Sequence, residues 1–552
     1  MFDDKAIEAA QTRMETARSG FDGMRGELAS MLLPHRAEYS VRSIGQDQPR
    51  TETPFDEYAA LAMADGVAAF EGLTMPRGQK WQGVQIGDEA LMDDLSVQQW
   101  FERVAIRIFR MRNDPESGFT SAVHEGVENL YAMGEQSLWI DKRFDDRGRF
   151  KGISYQAESI DGVFVENDAE GRPMRIHRRF RLSAEAARRK FKGDTPKKVR
   201  EAAESQTTQA TSFEFLHVIE RNPAVNGDRI DFAAMPWRAC YYSVADKGHF
   251  LPGGYRVLRR IVSRWNKSSE QQYGTGPSRL VLGAIRAAQV IQQDRVLGVE
   301  QTVKPPMVAE DDELDRQIID LGPYGITYGG MSQGRPTIAP LFPSIDLSQA
   351  KDLHGEVRMV IDYAFQRHLM QINREQKTHI SAARTIEEIA EKGVLLSPLA
   401  RQEGELFAPM LNAELDILWD EGLLDDMPAI LFPWFRAGGG VQATYDNRLT
   451  QMMMANDAAG YFRMAEQIGA IAQFEPGAIQ MFTREYPLTK VVPALGRVNG
   501  VPPSWRASDE EKAAADEAAA QAQAQQQLLE ALPALSAAGK NIAEMGGGAN
   551  VQ

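Results

Sequence analysis

The pattern of apolar and polar positions predicts helices over the first 133 residues of the chain. In residues 5–34, apolar side chains recur every three or four positions, from Met14 through Phe21 to Leu28, which predicts one amphipathic helix. Pro34 ends this helix because proline cannot continue the backbone hydrogen-bond ladder. The same spacing predicts three further helices, near residues 57–73, 96–113 and 118–133.

The pattern changes at Gly134, after which apolar and polar residues alternate as they do in strands. Clusters of turn-forming residues, such as 145–148 and 167–171, separate the alternating runs and predict antiparallel hairpins. A short basic helix over 184–192, capped by Ser183, interrupts the strands. The predicted strands lie near residues 136–140, 153–155, 163–165, 174–180, 213–219, 238–244 and 255–265.

The second half of the chain returns to helical patterns, so the predicted fold class is α+β. Residues 278–303 contain no proline and predict a helix about 39 Å long, which Pro305 and Pro306 end. Asp346 and Ser348 are candidate N-caps of the next long helix. Further helices are expected near residues 385–392, 398–421, 447–471 and 508–532, and the glycine-rich end is expected to be disordered.

Length and charge limit the classes of protein to consider. A chain of 552 residues suits two to four domains, and a net charge of −15 is unlike that of a sequence-specific DNA-binding protein. An acidic surface repels DNA, which favours a protein past which DNA slides. Cys240 is the single cysteine, so an intrachain disulfide is excluded and a small buried residue is expected. Neither a secretion signal nor an apolar run of about 18 residues is present, so synthesis in a cytoplasm without membrane insertion is expected.

Motifs that would indicate catalysis are weak. No phosphate-binding loop of an ATPase is present, and Tyr273-Gly274-Thr275-Gly276-Pro277 lacks the third glycine of a dinucleotide loop. Pro277 instead suits the first turn of a helix. His124-Glu125 lacks the second histidine of a zinc protease helix, and the acids at 311–313 and 425–426 are interpreted as solvated turns. We therefore predict no catalytic residue, no metal site and no cofactor, with a metal-dependent nuclease using Asp311, Asp312 and Glu313 as an alternative.

Several short motifs occur in an order that resembles the portal, or head-to-tail connector, proteins of short-tailed, podovirus-type bacteriophages. The most specific is Arg264-Trp265-Asn266-Lys267 followed by Tyr273-Gly274-Thr275-Gly276-Pro277, which opens a long helix ending in Lys304-Pro305-Pro306. The others are Arg25-Gly26-Glu27-Leu28-Ala29, Leu33-Pro34-His35-Arg36, Leu73-Thr74-Met75-Pro76, residues 119–134, Ala382–Glu388, Leu396–Arg401 and Gly422-Leu423-Leu424. The residues before Tyr273, Ser269-Glu270-Gln271-Gln272, depart from the family, which often has Gly-Glu there.

The resemblance implies a structural ring subunit that is not an enzyme. It implies a ring of twelve copies at one capsid vertex, with a central channel for DNA packaging and ejection. By this resemblance the regions are a wing at 1–212, a β-rich clip at 213–262, a stem helix at 263–306, a wing return at 307–500 with a channel loop at about 341–351, and a crown at 501–552.

Six polar residues are predicted to contact DNA in such a channel. Arg279, Arg286, Arg295 and Lys304 lie on the predicted stem helix, and Gln349 and Lys351 in the predicted channel loop. Because Arg279 and Arg286 are seven residues apart, they share one helix face. Contacts to neighbouring subunits or to solvent are the alternative for these residues.

The resemblance also implies partners and a location. The expected partners are further copies of the chain, the major capsid protein, the terminase large subunit that drives packaging, a tail adaptor, scaffolding and internal core proteins, and double-stranded DNA without sequence specificity. The expected location is the virion, with the host cytoplasm as the site of assembly. Another head-to-tail structural ring, such as a tail adaptor or tail tube subunit, is the alternative function.

Overall fold

Helices and antiparallel sheets alternate along the chain, and the fold is of the α+β class, as predicted. Its residues fall into two units, the first comprising Met1–Ile380 with Lys392–Thr450 and the second Ser381–Glu391 with Gln451–Gln552. The computed structural model describes residues 2–36, 53–78, 80–92, 94–225, 232–268, 271–304, 307–309, 331–332, 335–336, 338–340, 348–367, 397–424, 426–445, 448–475, 477–498, 514–515 and 517–518.

The helices and strands of the described residues are numbered in chain order. The helices are α1 (Asp4–Leu32), α2 (Tyr58–Thr74), α3 (Glu89–Met92), α4 (Leu95–Arg112), α5 (Phe119–Met133), α6 (Ala184–Phe191), α7 (Lys197–Glu204), α8 (Pro277–Leu280), α9 (Leu282–Val303), α10 (Ser348–Ala364), α11 (Ser397–Gln402), α12 (Ala408–Asp420), α13 (Phe432–Arg436), α14 (Arg448–Ala472), α15 (Ala478–Glu485) and α16 (Leu488–Val498). The strands are β1 (Gln82–Ile86), β2 (Glu135–Phe144), β3 (Phe150–Glu158), β4 (Val163–Asn167), β5 (Pro173–Ser183), β6 (Ser212–Arg221), β7 (Trp237–Ser243), β8 (Gly248–Tyr255), β9 (Arg260–Arg264), β10 (Met307–Ala309), β11 (Met331–Ser332), β12 (Arg335–Pro336), β13 (Ile338–Pro340) and β14 (Val441–Tyr445).

Two sheets form the centre of the first unit. One has three strands in the order β3-β2-β9, and the other has five in the order β4-β5-β6-β7-β8. In the larger sheet Ile176 pairs with Ile219, and Val218 pairs with Cys240, which is buried as predicted. Because β5 pairs with β6, the predicted boundary at residue 212 separates two strands of one sheet. The names wing, clip and stem given to these segments stay predictions.

Helix α1 packs across one face of the five-stranded sheet, where Ile7 clusters with Val218 of β6 and Met14 packs against Phe164 of β4. Asp3 caps its N-terminus, and its inward face buries Ile7 and Leu28. The guanidinium of Arg18 donates hydrogen bonds to the carbonyl oxygens of Ile160 and Val163, at 3.1 and 2.8 Å. These contacts occupy acceptors beside edge strand β4, so α1 is held to the sheet by polar contacts as well as by apolar packing.

A second core lies where α4, α12 and the β1–β14 pair meet. Trp100, Phe101 and Leu418 are all buried there. Beside it, Arg112 forms two hydrogen bonds to the Glu414 carboxylate, at 2.8 and 2.6 Å, with both side chains fully enclosed. A buried charge is stable only when it is paired and hydrogen-bonded, so this contact ties α4 to α12.

The structure corrects two expectations. The helix predicted over 278–303 is interrupted at Val281, so that a single turn, α8, precedes the 22-residue helix α9. The loop predicted at 341–351 is wrong for residues 348–351, which form the first turn of α10, while 341–347 lie outside the described residues. The helices expected near 385–392 and over most of 508–532 also lie outside them.

Helices α14, α15 and α16 supply most of the described part of the second unit. An aromatic group joins Tyr461 of α14 to Phe482 of α15 at a centroid distance of 5.4 Å, and joins Phe482 to Tyr486, the residue after α15, at 5.5 Å. Among the described side chains of this unit, Ala478 alone is classed as buried.

Candidate functional site

The Tyr-Gly-x-Gly-Pro motif lies against the end of α5. Gly134 ends that helix with a φ of +84°, the left-handed region that favours glycine. A Cβ atom at Gly134 would overlap the backbone nitrogen of Gly276, and a Cβ at Gly276 would lie 2.8 Å from the carbonyl oxygen of Tyr131. The glycines are therefore needed because two backbone segments pack directly against each other.

Hydrogen bonds complete this contact. The Trp265 amide donates to the Gly134 carbonyl oxygen at 3.0 Å, and the Thr275 amide donates to the Asn266 carbonyl oxygen at 3.1 Å. The Gly274 amide donates to the carboxylate of Glu135. Because these amides have partners within the chain, the motif does not act as a phosphate cradle. It holds the start of α8 in place, with Pro277 in the first helical turn as predicted.

The glycine contact is also stabilised by a buried ion pair. Arg25 of α1 donates to the Glu135 carboxylate at 2.7 Å, and both side chains are almost completely buried. Glu135 therefore accepts hydrogen bonds from both α1 and the glycine motif. The N-terminal end of the α8–α9 segment is in this way joined to the first helix and to the first sheet.

Helix α9 packs against α10 around Asp56. The carboxylate of Asp56 lies 2.5 Å from Nε2 of His354 and accepts a hydrogen bond from Arg358 at 3.2 Å. The Asp56 amide donates to the side chain of Gln289 at 3.0 Å, and that side chain donates back to the Asp56 carbonyl oxygen at 2.6 Å. The segment before α2 therefore joins α9 to α10.

The electrostatics of this network fix its hydrogen-bond directions. Burial opposes ionisation of Asp56, but hydrogen bonds from the Tyr58 amide, His354 and Arg358 outweigh it and hold the pKa of Asp56 below its ordinary value. Nδ1 of His354 lies 2.8 Å from Nη1 of Arg295. A guanidinium only donates, so this ring nitrogen accepts and Nε2 carries the proton that faces Asp56.

Two of the six predicted DNA contacts meet in one groove between α9 and α10. Its volume is about 460 Å³, and its lining includes Arg295, Lys351, Gln292, Val296, Val299 and Ser348. Gln349 is exposed in the same first turn of α10, and Lys304 is exposed at the end of α9. The groove places two cations beside an apolar wall, so a phosphate backbone could approach them without entering a deep pocket.

Arg279 and Arg286 have partners on α1 instead. Arg286 makes two hydrogen bonds of 2.6 Å to the carboxylate of Glu27, which lowers the pKa of that carboxyl group. The guanidinium of Arg279 lies 5.7 Å from the ring centroid of Phe21. The structure thus directs both side chains to one neighbouring helix, and their contact with DNA stays a prediction.

The acids and histidines considered in the sequence do not form a metal centre among the described residues, where no group of three or more metal-ligating side chains occurs. Asp426 binds Arg103 and Trp100, and His124 lies 2.7 Å from Glu71, all of which are contacts within the chain. The acids at 311–313 lie outside the described residues. Burial raises the pKa of the Cys240 thiol, which makes it a poor nucleophile.

Comparison of the sequence with known proteins identifies a family and two similar proteins. The family described as "Bacteriophage head to tail connecting protein" matches residues 4–505. The chain belongs to this family. It is similar to the "Portal protein" of Salmonella phage epsilon15, at 22% identity over 528 residues that cover 94% of this chain and 91% of the relative. It is also similar to the "Probable portal protein" of Bordetella phage BPP-1, at 22% identity over 486 residues that cover 85% of this chain and 83% of the relative.

These matches confirm the predicted resemblance and the predicted function of a portal protein. A head-to-tail connector is a structural component of the virion, and neither the family description nor the names of the two relatives describe an enzyme. In the part of the chain that the structure describes, none of the helices is long and apolar enough to cross a membrane.

Proposed function

We propose that twelve copies of the chain close into a ring at one capsid vertex. DNA enters the capsid through the central channel during packaging and leaves through it during ejection. The terminase large subunit and later the tail adaptor dock on one side of the ring, and the capsid, scaffolding and internal core proteins surround the other. Assembly takes place in the host cytoplasm. The match of the head-to-tail connecting family to residues 4–505 supports this proposal.

One observation in particular supports assembly into a ring. Helices α9 and α10 expose apolar side chains that a soluble monomer would bury, and the exposed fractions are 55% for Val290, 47% for Leu297, 51% for Leu353 and 51% for Val360. In each helix the two residues are seven positions apart and therefore share a face. Contiguous apolar faces of this kind mark protein interfaces. A subunit that presents such a face to a different surface of the next copy forms a heterologous contact, and contacts of this kind close into a ring when the rotation between copies divides a full turn.

Charge supports the channel function. Twelve copies at −15 each carry a total of −180, so the assembly as a whole repels DNA. The groove cations Arg295 and Lys351 then supply local attraction to phosphates. Phosphate contacts carry no sequence information, so DNA of any sequence passes them. Gln349 in the first turn of α10 and Lys304 at the end of α9, both exposed, are proposed to contribute to the same contact, whereas Arg279 and Arg286 hold the α8–α9 segment to α1.

The mass in solution tests the assembly. Light scattering is expected to give about 737 kDa for twelve subunits of 61.4 kDa, and negative-stain images are expected to show a ring with a central hole. Replacing Val290 and Leu297 by Glu is expected to release 61.4 kDa monomers, because two charges cannot be buried without partners. The matched control places the same charges at exposed polar positions, Gln99→Glu with Gln206→Glu, and is expected to leave the ring intact.

Two results would contradict the proposal. A ring that persists in the Val290→Glu, Leu297→Glu variant would show that the exposed faces of α9 are not the subunit contact. A wild-type chain that stays monomeric even with its scaffolding proteins would contradict ring assembly itself. Packaging of DNA by particles that carry Lys351→Gln would separately test the groove, since this change leaves both the apolar faces and the contact of Arg295 with His354 untouched.

A further inference from the structure

Helices α6 and α7 form a layer on the five-stranded sheet, away from the groove residues. The inward face of this layer is apolar: Ala184, Ala187, Phe191 and Val199 are buried and pack in one cluster with Phe215 of β6. The layer is thus held to the sheet by its own hydrophobic core. The side chains of its outward face are not needed for this packing.

The outward face is basic, although the whole chain carries −15. Residues 188–200 contain seven lysines and arginines and one acid, Asp194, and with Glu185, Glu201 and Glu204 the two helices carry a net charge of +3 (7 − 4) over residues 184–204. All seven cationic residues are exposed, but the ammonium group of Lys190 turns back over the rings of Phe180 and Tyr241, at 4.9 and 5.7 Å, so the other six supply the outward charge. The seven are Arg188, Arg189, Lys190, Lys192, Lys197, Lys198 and Arg200. We call residues 188–200 the basic surface.

Few of these cations are neutralised by acids of the chain. Arg189 pairs with Glu185, and Lys197 lies at 3.9 Å from Glu201 with both side chains largely exposed. For the other five, no ion pair occurs among the described residues. The four acids of residues 184–204 leave three of the seven cationic charges unbalanced, so the surface stays electropositive.

Helix stability explains only part of this charge. Cations in the last turn of α6 interact favourably with the negative end of the helix dipole. Lys197 and Lys198, however, are the first two residues of α7, where a positive charge opposes the positive end of that helix dipole. The helix dipole therefore does not account for these two charges: Lys198 donates a hydrogen bond to the carbonyl oxygen of Ala245 at 2.6 Å, and the ammonium group of Lys197 is largely exposed.

The chemistry of the surface favours nucleic acid over protein as its binding partner. Protein interfaces have an apolar or aromatic core and contain few lysines. None of the large hydrophobic side chains exposed in the described part of the chain lies within 184–212. A surface of lysine and arginine without apolar contact is the composition that binds phosphate backbones through release of counterions.

We propose that the basic surface is a second DNA-binding site of this chain, which contacts the phosphate backbone of duplex DNA without reading its sequence. It is distinct from the groove between α9 and α10 because it lies on another layer of the fold and uses other cations. It goes beyond the channel function, since a groove that fails to bind DNA leaves this site untouched.

Salt dependence of binding tests the proposal on the assembled full-length protein. A fluorescent duplex of arbitrary sequence is titrated at several salt concentrations, with wild type and with Arg188→Gln, Lys192→Gln, Lys197→Gln and Lys198→Gln combined. Each phosphate contact makes the slope of log K against log salt more negative by about 0.9. The slope of this variant is therefore expected to be less steep than that of the wild type by about 3 to 4. Affinity at low salt is expected to fall at least tenfold.

The control removes the same charge elsewhere. It combines Gln substitutions at Arg77, Arg110, Arg147 and Arg436, which are exposed and make no ion pair among the described side chains. Its slope is expected to stay within about 1 of the wild type. All eight positions are exposed, so both proteins are expected to fold, and their melting curves verify this.

Four outcomes overturn the proposal. The first is an unchanged slope in the basic-surface variant, and the second is an equal fall in the control, which would show a general charge effect. The third is tighter binding of poly-glutamate than of duplex by the same cations, which would indicate an acidic protein as the partner. Loss of the slope in Arg295→Gln with Lys351→Gln alone would assign the binding to the groove.

Discussion

Replacing Gly134 by Ala tests whether the glycine motif anchors the long helix. Two costs add. An alanine with a φ of +84° is less favourable than glycine by about 1 to 2 kcal/mol. Its Cβ would also lie 2.6 Å from the carbonyl carbon and 2.8 Å from the Cα of Thr275, and it would overlap the nitrogen of Gly276. Backbone atoms cannot rotate away, so overpacking adds about 1 to 3 kcal/mol or more.

The matched control is Gly148→Ala. Gly148 has a φ of +76° in a hairpin turn, and a Cβ there meets no atom within 4 Å. Its substitution therefore carries the backbone cost of about 1 to 2 kcal/mol without the overlap. The difference between the two variants isolates the packing of Gly134 against the motif.

Urea denaturation of both variants measures this difference. Gly134→Ala is expected to lower the free energy of unfolding by about 2 to 5 kcal/mol and Gly148→Ala by about 1 to 2. Hydrogen exchange is expected to rise at the Trp265 and Thr275 amides in Gly134→Ala, because both donate hydrogen bonds within this contact. If the two variants differ by less than about 0.5 kcal/mol, the backbone contact is not what holds the helix.

Two further predictions concern buried ionisable side chains. Replacing Arg112 by Met leaves Glu414 buried without its cationic partner and is expected to lower the free energy of unfolding by about 3 to 5 kcal/mol in urea denaturation. The control Arg103→Met leaves the half-exposed Asp426 without its partner and is expected to lower it by less than about 1 kcal/mol in the same assay. Burial and nearby cations lower the pKa of His177 to about 3, so the unfolded state takes up a proton first as pH falls below about 6.5. This residue is therefore expected to lower the free energy of unfolding by about 1.4 kcal/mol per pH unit as pH falls from 6.5 to 3. The variant His177→Asn keeps a hydrogen-bond donor and is expected to reduce this dependence on pH, measured by melting at several pH values. An unchanged dependence would assign the effect to other groups.

Local patterns predicted the elements of the fold well. The spacing of apolar residues predicted α1, α2, α4 and α5 to within two residues at each end, because each helix buries one continuous face. The change of period at Gly134 coincides with the left-handed residue that ends α5. In these segments local preference and tertiary packing agree, which is the condition under which sequence patterns succeed.

Contacts distant in sequence were not predictable in the same way. Asp56 and His354 are 298 residues apart, and neither is marked by a motif, since an acid before a helix and an isolated histidine are both common. The sequence pattern does not predict the pairing of β5 with β6 across residues 184–211, because the polar intervening segment resembles a domain boundary. It does not predict the break at Val281 either, because the local sequence is compatible with helix.

The contacts along the α8–α9 segment divide it into two functional halves. Its first half is committed to attachment, because Arg279 lies over Phe21 and Arg286 binds Glu27, both on α1. Its second half borders the groove, where His354 holds Arg295. The six candidate channel residues therefore cannot be equivalent: removing Arg286 loosens the helix from α1, whereas removing Lys351 changes the charge of the groove and leaves that attachment intact. A loss of packaging caused by the first is an effect on position, and only a loss caused by the second is evidence for contact with DNA.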